Sequence, residues 1–386
     1  MQTGSQPHES PRTPGRIPDG DPDGDPEGIG ASGTPADGPG GSGATPPAER
    51  EDDGPMLDVV AVGNALVDVL ASATDEDLAG HGLVKGTMAL VDHARSEAIY
   101  ATMGPTTEAS GGSAANTAAG VAALGGRAAF LGRVADDGLG RAFTHDIRSI
   151  GVAFEPTPTT AVPGRVVTGH CLVLVTDDAE RTMATHLGVA SDFGSVDLHD
   201  AHLSSTHVVY LEGYLWEQPP AKAAMREAIE AAHANDAAVA LSVSDPFCVE
   251  HHRAEFLDLL AGDLEMIFAN EEEVMMLFGA RDFDAAVEAV AETGVLAVLT
   301  RGAAGSVVVT AAGPVVVPAA PVGRVVDTTG AGDLFAAGFL YGITNGLSPE
   351  DSARLGGVCA AEVISHVGAR PQSDLRALAV EAGLFG

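Results

Sequence analysis

The strongest chemical signal in the chain is Asp327-Thr328-Thr329-Gly330-Ala331-Gly332-Asp333, directly before the apolar run LFAAGFLYGI. Glycines at 330 and 332 permit a tight turn and leave backbone N–H groups bare where a helix begins, and the helix dipole there favours an anion. Such a turn is a phosphate cradle made of amides, with Asp333 in the first helical turn as a candidate base for a substrate hydroxyl. An Asp after a glycine turn is equally an ordinary helix cap. Two commoner phosphate motifs are excluded. A P-loop needs GxxxxGK[ST], and neither Lys85 nor Lys222 follows a glycine in that way. A dinucleotide fingerprint needs a third glycine at position 335, which is Phe335.

Three further segments have the right residue types. Asn270-Glu271-Glu272-Glu273 follows EMIFA. Asn270 and Glu273 stand at capping-box spacing. The same spacing would present oxygen ligands, direct or through water, to a hydrated Mg²⁺ carrying nucleotide phosphates. Gly111-Gly112-Ser113-Ala114-Ala115-Asn116 is a second glycine turn opening a helix. Asn116 on its inner face suits a sugar hydroxyl, while a plain turn with Ser113 as N-cap is the alternative. Gly63-Asn64-Ala65-Leu66-Val67-Asp68 ends the first strand, and Asp68 is an uncompensated carboxylate in the apolar segment VDVLA. It suits a pair of vicinal hydroxyls, or else faces solvent from a strand.

The elements that must hold these segments are legible as βαβ units. LDVVAV at 57–62 reads as a buried strand, RAAFLGRV at 127–134 as another, and 113–124 as a helix. From 207 onward the pattern alternates: strands at 207–211, 238–243, 265–268 and 295–300, helices at 219–234, 251–260, 271–277 and 284–292. A short hairpin at 306–318 and helices at 332–344 and 349–366 close the chain. That alternation predicts a mostly parallel sheet covered on both faces, whose ligands lie beyond the carboxyl ends of the strands.

Composition narrows the class. Residues 1–55 are rich in Gly, Pro and Asp and almost free of large apolar side chains, so they are expected to be a disordered acidic tail before a folded domain at 56–386. The tail has neither the apolar core of a secretory signal nor the Arg of a transit peptide, and no stretch is apolar enough to span a bilayer. A cytoplasmic protein without membrane partners is expected. Net charge is −34, and the chain outside the tail still holds 43 acidic against 17 basic residues, which argues against nucleic-acid binding. Cys171, Cys248 and Cys359 form no paired framework and are expected as buried free thiols.

In order, GNALVD, GGSAANTAAGVAALGG, GRVADDGLG, FANEEE, TRGAAGS and DTTGAGDLFAAGF resemble the ribokinase-like (PfkB) carbohydrate and nucleoside kinase family over about residues 56–380. The resemblance implies a doubly wound α/β domain with a small β lid, here from about 81–92 and 153–185. It implies Asp333 as the base, with Gly330, Ala331, Gly332 and the Asp333 amide as the anion hole for the transferring phosphoryl group of ATP. It places Asn270 and Glu273 in the element that organises Mg²⁺. Thr300, Gly302 and Gly305 would hold the nucleotide, and Ala360 and His366 would flank its base. Asp327 and Thr329 would border a monovalent cation site, K⁺ in several relatives. GNALVD, ERTMATHLG and YLEGYL are more similar to the adenosine kinase branch. In that branch Asn64, Asp68, Gly111, Gly112 and Asn116 would grip the ribose, and Arg181 would reach in from the lid. The alternatives are another sugar or nucleoside acceptor, and a monomer or a homodimer. Ser244-Asp245-Pro246-Phe247 departs from the Asp-Pro-Asn of many sugar kinases.

Overall fold

The computed structural model describes residues 56–385 apart from Ala179. The expected tail lies outside the described residues. Among the described residues thirteen strands run in chain order: β1 (Leu57–Val62), β2 (Leu66–Ser72), β3 (Met88–Leu90), β4 (Thr107–Gly111), β5 (Ala128–Leu131), β6 (Gly169–Val175), β7 (Arg181–His186), β8 (Thr206–Glu212), β9 (Ala238–Ser242), β10 (Met266–Asn270), β11 (Leu296–Thr300), β12 (Ser306–Thr310) and β13 (Gly313–Val317). Eight form one sheet in the order β13-β12-β11-β10-β9-β8-β1-β5, parallel except at β11-β12-β13.

The parallel strands are continuous apolar runs because both faces are covered. Val59, Val60, Ala61 and Val62 are all fully buried, alternate residues entering opposite cores. Helices Ser113–Ala123, Ala331–Thr344 and Pro349–Val363 cover one face, and helices Pro219–Ala234, Pro246–Leu260, Glu271–Phe278 and Phe283–Ala291 the other. Helix Pro246–Leu260 starts five residues before the expected position. Asp245 accepts the Cys248 amide and Pro246 fills the first helical position, a start signal that the exposed Phe247 obscured.

The second sheet, β3-β7-β6-β2-β4, is the lid. It is larger than the sequence suggested. Residues 66–72 and 107–111 supply two of its five strands, whereas 153–168 supplies none. Strand β2 leaves the main sheet only three residues after β1, so two sheets are joined through Gly63-Asn64-Ala65. The three cysteines are buried and unpaired. Among the described residues no helix is long and apolar enough to cross a membrane.

Candidate active site

Strands β1, β8, β9, β10 and β11 point their carboxyl ends to one edge, where Asn64, Glu212, Ser244, Asn270 and Thr300 gather around residues 328–333. Three cavities meet there. One, of about 290 Å³ between the sheets, is lined by Asn64, Asp68, Gly112, Asn116 and Asp333 at its polar end. Leu66, Met88, Leu90, Val173, Met183 and Phe247 form its apolar walls. A polar cavity of about 290 Å³ holds Asn270, Glu273, Thr300 and Gly330 through Asp333. The third, about 370 Å³ and mostly apolar, is lined by Thr300, Gly302, Gly305, Ala320, Val325, Ala360 and Ile364, and touches Thr328, Ala331 and Gly332. The turn at 328–333 is the wall shared by all three.

Gly330 caps helix Ala331–Thr344 with φ 78°, and no side chain caps its N-terminus. A Cβ at Gly330 would stand 2.8 Å from that of Ala369, so both backbone and neighbour demand glycine. The Ala331 amide bonds the Thr328 carbonyl, while the Gly332 and Asp333 amides have no side-chain cap. That leaves first-turn N–H groups for a ligand.

Asp333 is half-buried where the first two cavities join. Ser113 Oγ donates to its Oδ1 at 2.6 Å and Asn116 Nδ2 to its Oδ2 at 2.8 Å. Burial raises its pKa, while those two hydrogen bonds and the charge of Arg370 pull it back. The group is thereby a stronger base than a solvated aspartate while its anion stays supported. Ser113 is therefore not the N-cap that the sequence offered. Gly112 takes that position at φ 91°, because a Cβ there would lie 2.2 Å from the Asn64 carbonyl, and the Ser113 hydroxyl is freed for Asp333. Asn116 Oδ1 is buried with no partner among the described residues, an acceptor left over at the cavity end. Such an atom is costly unless a donor arrives.

Asp68 faces the same cavity, its pKa raised to about 6 by burial against the opposing charges of Arg370 and Arg181. Its carboxylate packs over Gly111, where a Cβ would meet it at 2.6 Å. Glu212, which sequence reasoning missed, closes the cavity floor. It accepts from the Asn64 amide and Nδ2 and from the Ala114 amide, tying the two glycine turns together. Burial raises its pKa to about 7. Its only signal was an acid inside YLEGYL. Ser244 at φ 73° is a second missed residue, a strained position at the polar and lid-side cavities.

Asn270 and Glu273 form the capping box completely: Asn270 Oδ1 accepts the Glu273 amide, while the Asn270 amide and Nδ2 donate to the two Glu273 oxygens. Among the described residues no three His, Cys, Asp or Glu side chains converge to hold a metal alone. A Mg²⁺ ion at this wall would be a hydrated one carried by phosphates, which Asn270 and Glu273 could meet through water. Thr300, Gly302, Gly305 and Ala360 line the apolar cavity. His366 does not: its ring bonds Glu362 at 3.2 Å, because the i,i+4 carboxylate holds it along its own helix end. Asp327 and Thr329 are engaged by Arg181, which forms an ion pair with Asp327 and donates to Thr329 Oγ1 at 3.0 Å. A guanidinium thus stands where a monovalent metal ion was expected.

Residues 88–375 match the pfkB family of carbohydrate kinases. An adenosine kinase of Saccharomyces cerevisiae is 31% identical over 332 residues, 80% of this chain and 95% of that protein. A solved adenosine kinase of Sinorhizobium meliloti is 47% identical, with TM-score 0.80 over 85% of this chain and 99% of that one. A probable sugar kinase of Rhizobium etli is 43% identical, with TM-score 0.81 over 86% of this chain and 100% of that one.

Proposed function

The chain belongs to the pfkB family of carbohydrate kinases and is a phosphotransferase, and from that premise we propose that it transfers the γ-phosphoryl group of ATP to the 5′-hydroxyl of adenosine. The observation that carries the reading is the turn at 328–333, which contributes wall to an apolar cavity, a polar cavity and a lidded cavity. The apolar cavity suits the nucleotide base, the polar one its phosphates, and the lidded one the acceptor.

In this reading Asp333 takes the proton from the accepting hydroxyl, held in place by Ser113 and Asn116. The unpartnered Asn116 Oδ1 and the Asp68 carboxylate receive ribose hydroxyls. The amides of Gly330, Gly332 and Asp333 hold the transferring group, that of Ala331 being already bonded to the Thr328 carbonyl, and the reaction depends mainly on position and charge stabilisation. Asn270 and Glu273 steady the Mg²⁺, which when bound neutralises phosphate charge. Adenosine is favoured over a bare sugar because the lidded cavity continues past its polar end into walls of Leu66, Met88, Leu90, Val173 and Met183. Relatives named adenosine kinase, at 31% and 47% identity, support that choice. The likeness to a probable sugar kinase favours a second reading, the same chemistry on a sugar hydroxyl.

Initial rates of ADP formation with adenosine, other nucleosides, ribose and fructose test the assignment. Adenosine is expected to give the highest kcat/KM. Turnover of a sugar with adenosine inert would establish the second reading instead.

A further inference from the structure

We propose that Arg181 is a resident cation that takes the place of a monovalent metal ion at Asp327 and Thr329, so that the phosphate turn is organised by the lid and not by K⁺. The proposal rests on the reading of residues 327–333 as the phosphate turn, and it goes beyond that reading by assigning what holds the turn in shape.

The geometry leaves little room for an ion. Asp327 is buried, and its carboxylate already takes three donors: Arg181 Nη2 and the Gly368 amide on Oδ2, the Thr329 amide on Oδ1. Thr329 Oγ1, the other oxygen that would face a metal ion, accepts from Arg181 Nη1. The Arg181 side chain is only 12% exposed, so it is packed in place and not a surface group resting nearby. A second unit charge bound to the same two oxygens would meet the guanidinium at contact distance, where like charges repel strongly even with surface-like screening. Conversely, removing the guanidinium leaves a buried carboxylate without a counter-charge, the condition under which a small cation would be drawn in.

The partners explain what the charge does. Through the Thr329 and Gly368 amides, Asp327 fixes both chain segments beside Gly330, and Gly330 in turn packs against Ala369. A neutral or displaced Asp327 would loosen the left-handed turn that aims the amides. Arg181, however, belongs to the lid, as the first residue of β7. A free ion would order the turn regardless of lid position. A guanidinium carried by the lid makes lid placement and turn order one variable, so Arg181 is a positioning residue for the anion hole.

The test uses the full chain, wild type against Arg181→Ala and Arg181→Lys, at constant ionic strength with tetramethylammonium chloride replaced stepwise by KCl. Thermal unfolding and kcat are both followed. For the wild type we expect no saturable rise in Tm with K⁺ and a change in kcat of less than about twofold. Arg181→Ala should lose about tenfold or more in kcat without K⁺, regain a substantial part with KCl or with low guanidinium, and show a saturable K⁺-dependent rise in Tm. Arg181→Lys, which keeps a charge there, should remain indifferent to K⁺. Wild-type activation or stabilisation specific to K⁺ would overturn the proposal even if the Ala variant does not fold. So would an Ala variant whose Tm and kcat both ignore K⁺ and guanidinium. The Tm arm needs no substrate, so an enzyme that fails to phosphorylate adenosine would refute the functional reading while leaving this test intact.

Discussion

Helices Glu271–Phe278 and Ala331–Thr344 both begin at the polar cavity, and their N-termini are completed in opposite ways. The first closes on itself: Asn270 and Glu273 satisfy each other's amides in a reciprocal box. The second begins at a glycine with no side-chain cap. A closed terminus is worth roughly 1 kcal/mol to its own helix. An open one forgoes that stabilisation, and in a cavity wall its amides are useful only to something that arrives. The contrast separates a wall that steadies from a wall that binds, although both were candidate ligand sites by residue type.

The sharpest way to break this contrast is at the proposed base. Asp333→Asn keeps the size and much of the hydrogen bonding to Ser113 and Asn116 but cannot accept the proton. We expect kcat to fall about 10² to 10⁴-fold with acceptor binding largely spared. Retention of a tenth of the activity in steady-state kinetics would remove Asp333 from that role.

The open terminus predicts a split between stability and activity. A Cβ on Gly330 collides with Ala369, but a Cβ on Gly332 meets no atom within 4 Å. Nothing in the fold therefore requires glycine at 332. Gly332→Ala should stabilise the helix by about 0.5–1 kcal/mol. It should also lower kcat/KM by about tenfold or more, because the new methyl group stands where the transferring group approaches the amides. Denaturant unfolding and steady-state rates read the two effects. A stabilised variant with full activity would show that those amides bind nothing.

At the closed terminus the order reverses. In Glu273→Gln the new amide NH₂ faces either the Asn270 amide or its Nδ2, donor against donor. Stability should drop by about 1 kcal/mol. The concentration of Mg²⁺ needed for half-maximal rate should rise severalfold. An unchanged Mg²⁺ requirement with the same loss of stability would make the box a cap and nothing more.

What the sequence disclosed follows the same division. The turn at 327–333 was readable because its whole function is packed into seven consecutive residues, and the main-sheet strands because burial on both faces makes them uniformly apolar. Glu212 was not readable, since its partners are Asn64 and Ala114 and only the meeting of β1 and β8 brings them together. Ser113 looked like a cap because Ser usually is one. Its hydroxyl is diverted 220 positions along the chain to Asp333, and no local pattern records that. The lid was underestimated for a related reason. Strands β2 and β4 pair antiparallel across a long separation, and β4 (TEASG) has no apolar alternation to mark it. Arg181 was expected near the acceptor, but the partners that give it a purpose, Asp327 and Thr329, could be found only in three dimensions.

The acceptor side yields a pH dependence with a definite sign. Burial raises Glu212 from 4.5 to about 7 and Asp68 from 3.8 to about 6. The native state therefore holds more protons than the unfolded chain between about pH 4 and 7, so stability must fall as pH rises through that window. At 1.36 kcal/mol per unit, Glu212 alone sets an upper bound of about 3 kcal/mol on this loss. General repulsion in so acidic a chain acts in the same direction, so the informative quantity is a difference. In Glu212→Gln the titrating group is gone, and unfolding free energies measured from pH 4.5 to 7.5 should show a flatter decline than the wild type's, on top of a constant loss from the mismatched Ala114 or Asn64 contact. Equal slopes would mean that Glu212 is ionised throughout, held by its three donors more strongly than burial penalises it. The floor of the acceptor cavity would then carry a full negative charge at neutral pH, and the polar end would repel an anionic acceptor while still admitting a neutral nucleoside.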